Sequence, residues 1–73
     1  MSRADLVERL NQTQQAIAKD ESQIRRHRAV VARLERNGKD TREARARLTA
    51  AIEHRCSCHR DLATICREFQ EAE

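Results

Sequence analysis

The apolar residues of the first half of the chain fall on one helical stripe: Leu6, Leu10, Ile17, Ile24, Val31 and Leu34. Leu10, Ile17, Ile24 and Val31 recur at intervals of seven, the spacing of a coiled-coil seam position. Between them the seam carries Thr13, Asp20 and His27. The stripe is therefore polar at every second layer, which lowers its stability and can specify register. The second half repeats the pattern with Ala44, Leu48, Ala51, Ile52, Leu62, Ile65, Cys66 and Phe69. Arg55 and His59 interrupt that face.

Local signals bound the two stripes. Ser2-Arg3-Ala4-Asp5 has the form of a capping box, a hydroxyl followed three positions later by an acid. Asn37-Gly38 stops the first helix, because glycine takes the left-handed conformation at a helix end without steric cost. Asp40-Thr41-Arg42-Glu43 restarts the chain, with Asp40 or Thr41 as N-cap and Glu43 able to reach back. The expectation is an all-α, coiled-coil-like antiparallel hairpin forming one domain over 1–73, with helices at about 3–36 and 41–70 and a turn at 37–40. The tail Gln70–Glu73 is expected to fray. Facing residues should have numbers adding to roughly 78–79. That register sets Val31 near Leu48, His27 near Ile52, Ile24 near Arg55, Asp20 near His59, Ile17 near Leu62 and Leu10 near Phe69.

Composition adds a size argument. A chain of 73 residues buries little of its surface and usually needs disulfides, a metal or a partner chain. A mean hydropathy of −0.91 would suit disorder, but the seven-residue period argues for helices. Two such hairpins packed antiparallel would make a four-helix bundle, so a homodimer is expected. The interface residues of this reading are Leu10, Ile17, Ile24, Val31, Leu48, Ile52, Leu62, Ile65 and Phe69. Val7, Val30, Ala44, Ala51 and Ile65 flank the seams and are candidates for the second interface.

Charge is laid out unevenly. Residues 25–47 carry nine basic and three acidic groups, whereas the segments on either side are net acidic. The basic patch is Arg25, Arg26, Arg28, Arg33, Arg36, Lys39, Arg42, Arg45 and Arg47, surrounding the turn. It suits nucleic acid or another polyanion, an acidic protein surface, or the acidic open end of a second copy. No aromatic side chain interleaves, so base stacking is not expected.

The most unusual chemistry lies in His54-Arg55-Cys56-Ser57-Cys58-His59, with Cys66 beyond. Histidine and cysteine are zinc ligands. On a helix His54 and Cys58 share a face and could grip one ion, while Cys56 points away from Cys58. His59 and Cys66 stand about 10 Å apart, too far to share a metal. A complete site would need a second chain or a break in the helix. A metal- or redox-responsive regulator using His54, Cys58 and Cys66 is therefore a third reading. Cys66 fits the core as a small apolar side chain, and Cys56 should be exposed. Asp20 and His59 would face each other and could fix register.

No nucleophile–base pair beside a pocket and no glycine-rich phosphate loop is evident, so neither an enzyme nor a cofactor is expected. The N-terminus lacks a signal-peptide pattern and no apolar run reaches membrane-spanning length, which suggests a cytoplasmic protein. Three clustered cysteines do not resemble a secreted disulfide framework. The run Leu34-Glu35-Arg36-Asn37-Gly38-Lys39-Asp40-Thr41-Arg42-Glu43-Ala44 resembles a group of short uncharacterised bacterial proteins with an L-E-R-[ND]-G-x-D-T-x-E-A segment at the turn of a helical hairpin. The resemblance implies the hairpin fold and a bacterial cytoplasmic origin, and it implies no activity.

Overall fold

The computed structural model describes residues 2–71 and contains two helices, α1 (Arg3–Arg36) and α2 (Arg42–Glu71), packed as an antiparallel hairpin. The expected boundaries hold to within a residue. Gln70 and Glu71 lie at the end of α2 or inside it, and the rest of the expected frayed tail lies outside the described residues. The Cα trace measures 56 × 14 × 13 Å. Its length follows from α1, whose 34 residues span about 51 Å at 1.5 Å each.

The helix ends are built from the residues that the caps require. Ser2 Oγ accepts a hydrogen bond from the Asp5 amide at 3.2 Å, satisfying one orphan donor of α1. At the other end Gly38 takes φ 66°. Its amide donates to the Glu35 carbonyl and the Lys39 amide donates to the Leu34 carbonyl, the paired bonds of a Schellman turn. Asp40 Oδ1 then accepts from the Arg42 amide at 2.9 Å, and the Thr41 carbonyl accepts from the Arg45 amide to open α2. Glu43 does not reach back to the cap; it pairs instead with Arg47 at 2.7 Å.

Both seams follow a strict four-three alternation. In α1 it runs 6, 10, 13, 17, 20, 24, 27, 31, 34, and Leu6, Asp20, Ile24 and Val31 are buried. In α2 it runs 44, 48, 51, 55, 58, 62, 65, 69, and Ala44, Ala51, Cys58 and Ile65 are buried. The small row Ala44, Ala51 and Cys58 lets the helix axes approach along most of the hairpin. Leu6 and Ile65, almost completely buried, close the open end. Leu10, Ile17, Leu48, Ile52, Leu62 and Phe69 are only half-buried.

Three expectations about α2 are corrected by this seam. Cys66 is exposed rather than in the core. His59 is exposed and does not meet Asp20. Ala44, Ala51 and Ile65 are consumed by the hairpin itself, so they do not flank it as a second interface. The physical reason is one of rotation. Positions 52, 59 and 66 sit one residue, or about 100° of helix, beyond the row at 51, 58 and 65 that faces α1.

Candidate functional site: a polar layer across the seam

The middle of the seam holds one buried charged residue. Asp20 is 5% exposed, while its neighbours along the stripe are apolar or small. It stands on α1 level with Cys58 on α2, which agrees with the expected register. His54 lies one turn before Cys58 on the same face of α2, so both side chains reach Asp20. Sequence reasoning paired His54 with Cys58 but assigned Asp20 to His59. It therefore missed that α1 of the same chain supplies a third donor. The signal was present in the four-three alternation, which includes 58 and leaves out 59.

His54 and Cys58 converge on one oxygen of Asp20. His54 Nδ1 lies 2.7 Å from Asp20 Oδ2 and donates to it when the ring hydrogen is on Nδ1. The Cys58 thiol donates to the same oxygen at 3.5 Å. Cys58 Sγ and His54 Nδ1 are 3.8 Å apart. Burial pushes the Cys58 thiol above its ordinary pKa, and the Asp20 carboxylate and then Asp61 push it further. The His54 side chain remains 63% exposed, so one edge of the cluster meets solvent. Among the described residues no buried side-chain nitrogen or oxygen lacks a partner.

The cluster opens onto one side of the hairpin. A groove there is lined by Ala16, Lys19, Asp20, Gln23 and His27 of α1 and by Arg47, Ala50, Ala51 and His54 of α2. A second depression, sharing His27 and Arg47, continues it towards Val30, Leu34 and Asp40 at the turn. Helical spacing puts Leu48, Ile52, Leu62 and Phe69 of α2 on the opposite side of the small row from His54. The hairpin thus has one grooved side that carries the Asp20–His54 cluster and one side of half-buried apolar side chains.

The basic tip is as expected in position. All nine of its cationic residues are exposed. Arg42 pairs with Asp40 at 2.8 Å, Arg47 pairs with Glu43, and Arg45 pairs across the turn with Glu35. Among the described residues, Arg25, Arg26, Arg28, Arg33, Arg36 and Lys39 make no ion pair. At the open end Arg9 of α1 meets Glu68 of α2 at 2.8 Å. Cys56 is exposed, as expected, and away from the cluster.

No protein-family model, curated protein or solved structure matches this chain. Among the described residues no helix is long and apolar enough to cross a membrane.

Proposed function

We propose that the chain is a helical interaction module that associates with a second copy of itself, two hairpins lying antiparallel to form a four-helix bundle. The observation that carries this reading is the accessible surface, 5574 Å². A compact monomer of this mass would expose about 4,700 Å². The excess, about 900 Å², is close to the share of one partner in a standard interface, about 800 Å². The surface available for it is apolar on one side, where Leu48, Ile52, Leu62 and Phe69 are half-buried. An antiparallel arrangement also lays the basic tip of each copy beside the acidic open end of the other.

Sedimentation of the full chain in EDTA, across micromolar concentrations, tests this. A species of twice the chain mass of 8.5 kDa is expected, and Ile52→Glu, a position outside the hairpin seam, should shift it towards monomer. A monomer throughout the range overturns the reading.

A second reading rests on the six cationic side chains of the tip that have no acidic partner among the described residues. They suit a polyanion such as nucleic acid, held through phosphates rather than bases. Binding to mixed oligonucleotides should then weaken with salt, with a logarithmic slope of about −0.9 per phosphate neutralised on duplex DNA. Salt-insensitive or absent binding removes this reading.

A further inference from the structure

The polar layer is satisfied as it stands, yet its donor set and spacing are those of a metal site. We propose that Asp20, His54 and Cys58 bind one Zn²⁺ ion per chain, bridging α1 and α2, with a fourth coordination position open to water in the adjoining groove. This site goes beyond the self-association reading and does not depend on it.

Geometry carries the argument. Tetrahedral zinc, with bonds of about 2.0–2.1 Å to nitrogen and oxygen and about 2.3 Å to sulfur, sets neighbouring donors about 3.3 Å (N to O), 3.5 Å (S to O) and 3.6 Å (S to N) apart. The corresponding separations here are 2.7 Å, 3.5 Å and 3.8 Å. Two of the three already match. The circle through the three donor atoms has a radius of about 2.0 Å, so an ion lying just off their plane makes all three bonds at ordinary length. Only the Asp20–His54 contact must open, by about 0.6 Å. That contact is short because a hydrogen lies between the two atoms, and the hydrogen is what the ion replaces.

Chemistry agrees with the geometry. An imidazole, a thiolate and a carboxylate form a mixed nitrogen, sulfur and oxygen set that suits zinc and not the hard cations magnesium or calcium. Binding releases the Cys58 thiol proton and removes the ring hydrogen from Nδ1, to Nε2 or to solvent. The carboxylate and thiolate then bring two negative charges to one divalent cation, and the site becomes neutral. Without the ion, Asp20 is a buried carboxylate whose strongest partner is the largely exposed His54. The groove supplies the entry path and room for the water that completes four-coordination. His27, which also lines the groove, is two turns from Asp20, about 10 Å along α1, and is not a ligand.

The test uses the full chain, reduced, with Co²⁺ and then Zn²⁺. One cobalt per chain is expected, with the visible bands of four-coordinate Co²⁺ and a thiolate-to-cobalt charge-transfer band, both abolished by added zinc. The doubly substituted Cys56→Ser, Cys66→Ser chain keeps one thiol and should keep both features. Cys58→Ser should lose the charge-transfer band. Asp20→Asn should weaken zinc binding by more than the roughly 10–100-fold that losing an outer-shell partner costs. Alkylation of the wild-type chain, read by mass spectrometry, guards against a variant that merely fails to fold. Zinc should protect Cys58 and leave Cys56 and Cys66 as reactive as before. A charge-transfer band that survives Cys58→Ser, its loss from the double variant, or equal protection of all three thiols or none overturns the site.

Discussion

Replacing Asp20 by leucine separates what the polar layer does for stability from what it does for binding. The position is 5% exposed and lies between Ile17 and Ile24 on the seam. A leucine there would bury an aliphatic side chain worth about 2 kcal/mol. It would also remove the cost of holding a carboxylate out of water, which amounts to several kcal/mol even after relaxation. Against this stands the loss of the charge-assisted contact to His54, worth about 1.5–3 kcal/mol. That loss falls at the low end, because the His54 side chain is 63% exposed and water takes over its hydrogen bond. The groove beside Asp20 gives the leucine methyls room, so overpacking is minor. All but one of these terms favour the variant; apolar replacement of buried charged groups gains about 1–4 kcal/mol, and with one partner of this pair in solvent a gain in the lower half of that range, about 2 kcal/mol, is expected. For a domain of this size each kcal/mol moves the midpoint by about 4–8 °C. Thermal unfolding followed by circular dichroism, at one fixed protein concentration and in EDTA, should therefore show Asp20→Leu melting about 10 °C above wild type. Zinc should raise the wild-type midpoint and leave the variant unmoved. An Asp20→Leu chain that melts below wild type in EDTA would show that the polar layer is a net source of stability, and the reasoning would fail.

Other positions yield sharper local tests. Gly38 sits at φ 66° with open space where a Cβ would go, so Gly38→Ala costs only the left-handed backbone penalty, about 1 kcal/mol. Gly38→Asn should cost less, and equal midpoints for glycine and alanine in urea titrations would contradict this. Ile24 is 2% exposed in the seam; truncation to alanine should cost about 2–5 kcal/mol, comparable with the whole stability of a core this small. Retained helicity and an unchanged midpoint in Ile24→Ala would count against the seam as described. The Arg42 side chain, and then its amide, hold the Asp40 carboxyl below its ordinary 3.8. With the folded pKa depressed, the stabilisation is present above the unfolded value and is lost as pH falls through the folded one. Asp40→Asn should flatten the acid limb of the stability profile below about pH 4, and an unaltered limb would assign it to other carboxylates.

The level of each residue along the hairpin was legible in the sequence, and its rotation was only partly so. The turn chemistry of Asn37, Gly38 and Asp40 places the reversal within a residue. Once the reversal is placed, antiparallel packing sets which positions stand level, and position 20 does stand level with 58. Rotation about the axis of α2 is less constrained, because Ile52 and Cys66 widen its apolar arc by one residue beyond the true seam. That ambiguity turned Cys66 inward, set His59 against Asp20, and hid the convergence of His54 and Cys58 on a residue 34 and 38 positions away from them. What resolves it is packing. Alanine and cysteine at 51 and 58 let the helices come close, and no period of apolar residues reports that small side chains, not large ones, occupy the contact line.

The same ambiguity bears on why a charge sits in the seam at all. A hairpin whose contact row is Ala44, Ala51, Cys58 and Ile65, flanked on one side by Leu48, Leu62 and Phe69, offers α2 two nearly equivalent faces to turn towards α1. Rotating α2 by one position would bring 52, 59 and 66 inward, which are again apolar, imidazole and thiol. Hydrophobic burial alone separates these arrangements weakly, because it is non-directional. Asp20 bears on the choice, since the observed rotation gives its carboxylate both a thiol and an imidazole within hydrogen-bonding distance, where a turn of one position would set Arg55 and His59 in their places. The residue thus costs stability and supplies definition. Asp20→Leu is therefore expected to be more stable and less uniquely ordered. Methyl and amide resonances of Ala51, Ile52, Ile65 and Cys66 should broaden or double in the variant, while those at the Gly38 turn stay sharp. A single set of sharp resonances throughout Asp20→Leu would mean that packing specifies the rotation unaided, and would leave metal binding as the reason for the buried carboxylate.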